Sequence, residues 1–307
     1  MKIGRWLLVA AAALATVSLL LHLTQAMAQP WATLAGQVTS AEEGPVEGVV
    51  VSARKDGSPI TISVASDARG NFTFPTARLA PGKYTLGIRA IGYELDGPRT
   101  VELSAPGAPL SVKLKTTGNL AAQLSNGEWL ASFPGTPQQK AFMDRCSSCH
   151  TYERIAHSTH DTEGWIAVLQ RMAGYAPGTT PAAPQLRKEP RAETNTERLR
   201  RRAAYLASIN LSGGAQLKYP LKTLPRLKGR SNKVVITEYD LPRPTAMPHD
   251  VILDEQGTVW YTDFGEQFLG KLDPRTGAVT EFAVPMLKPD YPTGMLDIQM
   301  KDGDIWL

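Results

Sequence analysis

Cysteine and histidine are scarce in this chain of 307 residues, with two of the first and five of the second. Both cysteines lie in one stretch, FMDRCSSCHTY, from Phe142 to Tyr152. One disulfide at most can form, so a framework of stapled loops is excluded. Residues 29–115 contain neither residue type, and their acids are scattered at turns. Metal or nucleophilic chemistry is therefore not expected in that part. What the chain does have is 42% hydrophobic and 20% charged residues, with 26 glycines and 23 prolines. That composition is globular and favours turn-rich β structure.

The N-terminus bears on location. Lys2 and Arg5 precede an apolar run from Trp6 to Leu23, and Ala26-Met27-Ala28 closes the segment. A positive start, an apolar stretch and an A-x-A site predict a signal peptide over residues 1–28 and export, to a bacterial periplasm. An uncleaved membrane anchor is the alternative, since the run approaches a spanning length of ~20 residues. About 280 residues would remain, enough for two or three domains.

Charge is unevenly spread. Residues 29–115 carry 9 Lys+Arg against 8 Asp+Glu, residues 116–233 carry 17 against 8, and residues 234–307 carry 5 against 13. Such opposite fields can steer the middle segment toward the last one or toward an acidic redox partner; solvated charge on helix and linker surfaces is the plainer reading. No nucleic-acid partner is expected for an exported protein.

Residues 34–115 alternate short β-rich runs (GQVTS, GVVVSARK, ITISVASD, GNFTFP, GKYTLGIRA, RTVELS) with turn residues, which predicts a small antiparallel sandwich. The order Gly36-x-Val38, Pro45-Val46-x-Gly48-Val49-x-Val51, Asp67-x-x-Gly70-x-Phe72-x-Phe74, Gly82-x-Tyr84 and Gly92-Tyr93 resembles the carboxypeptidase regulatory-like domain. That resemblance implies a transthyretin-like sandwich serving as an accessory module, without chemistry of its own.

Residues 116–135 read as a connector, after which the pattern turns helical over 136–212. TEGWIAVLQRMAGY repeats Trp165, Val168, Leu169 and Met172 at helical spacing, and TERLRRRAAYLASINL places Leu199, Ala203, Leu206 and Ile209 on one face. Residues 213–233 read as a basic linker. In 234–307 an internal repeat appears: ITEYDLP at 236–242 returns as VTEFAVP at 279–285, and GTVW at 257–260 as GDIW at 303–306, offsets of 43 and 46 residues. A period of ~40–45 residues holding several strands is that of propeller blades. The stretch from Thr237 to Phe282 resembles a blade of a virginiamycin B lyase-type propeller. One blade and part of another fall short of the four to eight that close a ring, so the expectation is an incomplete propeller in an N-terminal fragment of a longer protein. The lyase's catalytic residues would lie in later blades, so none is assigned. His249 in MPHDV, whose counterpart is Thr293 in YPTGM, reads as a turn histidine before it reads as a channel-lining ligand or base.

The cysteines carry the chemistry. Cys146, Cys149 and His150 form C-x-x-C-H, the attachment signature of c-type haem. On an α-helix, i, i+3 and i+4 share a face, so two thiols reach one haem while the imidazole ligates its iron. A thioredoxin-like redox pair, a zinc site drawing on His157 and His160, and a plain disulfide are the alternatives. The opposite axial ligand is expected to be Met172, 22 residues after His150, with His157, His160 or an open position as competitors. CSSCHTYERI, GWIAVLQRMAGY and RAAYLASI together resemble a small monohaem cytochrome c domain, which implies that Tyr205 and Leu206 lie on a final helix packed across the haem.

The expected fold class is therefore multidomain: an all-β sandwich, an all-α cytochrome c-like domain and a partial β-propeller. The expected function is periplasmic electron transfer by one covalent haem c, with an acidic redox partner protein and a small-molecule substrate unknown. A propeller lyase with an accessory haem module and a non-enzymatic surface-binding protein are the alternatives.

Overall fold

Residues 34–65 lay down the first strands of two facing sheets, with apolar side chains alternating inward as the period of a pleated strand requires. The computed structural model describes residues 34–104, 107–189 and 194–307. The expected signal peptide, residues 1–28, lies outside these described residues.

One sheet contains β1 (Ala35–Ser40), β2 (Gly44–Pro45), β5 (Asn71–Thr73), β7 (Tyr93–Leu95) and β9 (Leu110–Thr116). The other contains β3 (Val50–Lys55), β4 (Ile60–Ala65), β6 (Gly82–Arg89) and β8 (Thr100–Leu103). Their inward faces meet through Val38, Val112 and Leu114 on one side and Val51, Ala53, Ile62, Val64, Tyr84 and Leu86 on the other, all buried. Each such aliphatic side chain contributes about 1.5–3 kcal/mol by leaving water. The expected β-sandwich is thus the architecture of residues 34–116.

A further strand joins this sandwich from far along the chain. β10 (Val235–Tyr239) pairs antiparallel with β4, from Val235 opposite Val64 to Tyr239 opposite Ile60. The sequence repeat had assigned ITEYDLP to the propeller segment; the structure places its strand on the sandwich instead. The physical reason is the open edge of β4, whose unpaired N–H and C=O groups accept a strand delivered beside them. Arg54 and Asp240 add an ion pair at 2.5 Å just past the strand's end.

That delivery is made by residues 213–233, read from sequence as a linker. They form an anchored strap. Leu224 and Lys222 donate backbone N–H groups to Glu128 and Ser132, at 3.0 and 2.7 Å. Arg226 then donates to the Glu47 carbonyl at 3.0 Å and to the Glu43 carboxylate at 2.5 Å, and Gly229 donates to the Glu47 carboxylate at 2.8 Å.

Beyond β10, strands β11 (Pro248–Leu253), β12 (Val259–Asp263), β13 (Phe268–Leu272) and β14 (Val279–Ala283) form an antiparallel meander in sequence order. A hairpin of β15 (Gln299–Lys301) and β16 (Asp304–Trp306) follows. The meander is held internally by Arg243, which bonds the carboxylates of Asp263, Glu266 and Glu281 and lies 4.1 Å over the Phe268 ring.

Between sandwich and meander lies a helical segment with its own core. Its helices are Asn126–Ser132, Pro137–Lys140, Tyr152–Ala156, Thr162–Ala173 and Thr196–Ile209. Leu199, Ala203, Leu206 and Ile209 are all buried, as their spacing predicts. The first helix falls within residues 116–135, where a connector was expected. It contributes Trp129 to the core and its C-cap contributes Phe133, both almost completely buried. Among the described residues no helix is long and apolar enough to cross a membrane.

Candidate functional site around CSSCH

The approach to the motif begins as a helix for readable reasons. Thr136 caps it, Pro137 sits in its first turn, and Gln139 completes a capping box. The helix then tightens: Ala141–Ser148 is a 3-10 helix, Cys149 is its cap and His150 lies in a bend beyond it. This corrects the expectation that Cys146, Cys149 and His150 share one α-helical face. Two serines accompany the change. Ser147 donates its hydroxyl to the Asp144 carbonyl at 3.0 Å and Ser148 to the Arg145 carbonyl at 2.8 Å. Side chains that bond their own preceding turn compete with the i−4 ladder of an α-helix. In the tighter helix residues three apart eclipse, so the two cysteine positions still fall along one edge.

Both thiols are free and half-buried. Cys146 packs against the helical core, and burial, reinforced by the neighbouring Cys149, pushes its thiol up to about 11. His150 is half-buried, and its Nδ1 lies 3.0 Å from the Thr151 carbonyl oxygen. A carbonyl can only accept, so Nδ1 carries the proton and, in the neutral ring, Nε2 keeps its lone pair. The chain after the motif is fixed by Tyr152, whose backbone N–H donates to Asn126 at 2.8 Å and whose hydroxyl donates to the Met143 carbonyl at 3.0 Å.

Met172 occupies the last turn of the Thr162–Ala173 helix, half-buried against the same core as Cys146. The competing histidines have other contacts. His157 meets Trp129 edge-on at 5.7 Å and lies 3.8 Å from the Glu153 carboxylate. His160 meets Trp165 at 5.4 Å, and its carbonyl accepts from Asn210 at 2.9 Å. Among the described residues no group of three or more His, Cys, Asp and Glu is placed to hold a metal ion. The zinc alternative built on Cys146, Cys149, His157 and His160 is therefore not assembled. His249, read from sequence as a turn histidine, lies in β11; its Nδ1 donates to the Leu296 carbonyl at 2.9 Å and its ring is 5.1 Å from Phe264.

Two buried groups stand out that the sequence reading did not select. Among the described residues the indole N–H groups of Trp129 and Trp165 have no acceptor, although Trp129 is fully buried and Trp165 is 5% exposed. A buried donor left unpaired costs ~1–3 kcal/mol. The readable signal for Trp129 was the capping box Ser125-x-x-Glu128 directly before it, which announces a helix.

Against known proteins, no curated protein matches this chain. Residues 33–115 match the family model described as the carboxypeptidase regulatory-like domain, and that family accounts for the sandwich.

Proposed function

We propose that this protein carries electrons through one covalent haem c, which Cys146 and Cys149 would tether and His150 and Met172 would ligate. The observation that carries this reading is His150: its Nδ1–H is committed to the Thr151 carbonyl, directly after two free thiols. An imidazole oriented through one nitrogen by a carbonyl presents the other as a metal ligand. The raised thiol of Cys146 argues against a redox disulfide pair, which depends on a lowered cysteine pKa. The unpaired indoles of Trp129 and Trp165 also fit, because a group bearing carboxylates supplies the acceptors that this core lacks.

When bound, haem would supply one-electron chemistry, and ligation by methionine would raise its potential. The chain's own residues would do the rest. Ile155, Trp165, Val168 and Leu206 form an apolar core that keeps water away. The Thr151 carbonyl fixes the tautomer and orientation of His150. Export through residues 1–28 would bring the thiols to the compartment where such thioethers form. The four-stranded meander, and the return of GTVW as GDIW 46 residues later, support a propeller reading of the part that follows β10, as a platform for a substrate or partner.

The test is covalent haem staining on a denaturing gel after expression with haem-maturation machinery. A stained band lost in both Cys146→Ala and Cys149→Ala is expected. A colourless wild-type protein sinks the proposal.

A further inference from the structure

A second concave surface lies beside the motif and includes neither cysteine, His150 nor Met172. It is a groove of about 1180 Å³ between the 138–145 stretch and the Thr196–Ile209 helix, and its lining includes Arg145, Arg198, Arg201 and Arg202. Asp144 is the acid in that lining. The helix brings Arg198, Arg201 and Arg202 to one side because residues three and four apart are neighbours on its surface. Arg200, on another side, pairs with Glu163 at 2.8 Å.

Guanidinium forks recognise carboxylates and phosphates in pairs of parallel hydrogen bonds, so several converging arginines select a multiply anionic ligand. The contact of Arg201 with Glu197, 3.3 Å long with both side chains exposed, is worth little in water and exchanges readily for a better acceptor. Two features favour a protein segment over other anions. The groove is open and larger than the ~300–1,000 Å³ usual for a small ligand. Its rings also offer little stacking surface to a base. Phe142 is covered by Arg202 at 5.2 Å, and Tyr205 meets Phe142 edge-on while its hydroxyl is tied to the Pro134 carbonyl at 3.0 Å.

We propose that this arginine-lined groove docks an acidic segment of a partner protein. The proposal does not depend on the haem reading, because neither cysteine, His150 nor Met172 lines the groove.

The probe is a fluorescent peptide of ten glutamates, titrated with the full chain and read by anisotropy at low salt. Saturable binding is expected, weakening steeply as salt rises. Arg198→Glu with Arg201→Glu should weaken it by about tenfold or more, because two attractive contacts become repulsive. Arg230→Glu with Lys233→Glu, on the strap outside the groove lining, should change it less than twofold. Equal losses in the two double variants, or no binding at low salt, overturn the proposal. So does tighter binding of pyrophosphate or of a single-stranded oligonucleotide than of the peptide.

Discussion

The Glu128 carboxylate accepts the backbone N–H of Leu224 at 3.0 Å, joining the helix ahead of CSSCH to the strap that leaves the last helix. Its other oxygen accepts both the N–H and the hydroxyl of Ser125, each at 2.8 Å. Burial works against the charge, but these hydrogen bonds outweigh it and hold the carboxyl below its ordinary value of 4.5. A carboxyl lowered in the folded state adds stability above its unfolded pKa and loses it as pH falls through the folded value. Glu128→Gln should cost about 1–3 kcal/mol at neutral pH and reduce the loss of stability below about pH 4.5. Some acid dependence should remain from Glu43, which the Arg226 guanidinium also holds low. Thermal melts across the acid range test this, and an unchanged acid slope in the variant refutes it.

Gly48 tests the strap's other anchor. Its φ is +76°, and a Cβ there would fall 2.2 Å from the Leu227 carbonyl oxygen. Gly48→Ala should cost at least ~1–3 kcal/mol through backbone strain alone. It should also push the strap away, exposing the Gly229 N–H that now donates to Glu47. Hydrogen exchange at Gly229 should accelerate, and unchanged protection there would show that the close approach is not restrictive.

Arg243 bonds three carboxylates of the meander, those of Asp263, Glu266 and Glu281. Asp263 is fully buried, and its Oδ1 accepts N–H groups of Met247 and Gly265 at 3.1 and 2.9 Å. Arg243→Met should destabilise the meander by about 3–5 kcal/mol, because it leaves buried charge unpaired. Urea melts at neutral pH measure the loss, and an unchanged midpoint in the variant contradicts the account.

For the haem reading, Met172→Ala should abolish the near-infrared methionine–iron charge-transfer band while leaving covalent attachment intact. A band that persists in this variant removes Met172 from the iron.

The sandwich was legible because its signals are local. Alternation at Val51 and Ala53 and at Tyr84 and Leu86 fixes which face is buried. The helices Thr162–Ala173 and Thr196–Ile209 were legible for the same reason, since spacing alone predicts their apolar faces. The connector over 116–135 hid a helix because glycine, serine, asparagine and proline punctuate it, although its capping box was readable.

By itself the sequence determined these locally encoded parts: strand alternation, helical faces, caps, and a C-x-x-C-H motif whose residue types limit its chemistry. Tertiary structure decided what depends on distant partners. It gave β10 to the sandwich because β4 offers an open edge, and turned a linker into a strap because Glu128, Glu43 and Glu47 bind its N–H groups and Arg226. It drew the approach to Cys149 into a 3-10 turn, packed His157 and His160 against tryptophans, and oriented His150 through the Thr151 carbonyl. Periodicity is written in neighbouring residues, whereas hydrogen-bond partners across 96 positions exist only once the chain has folded.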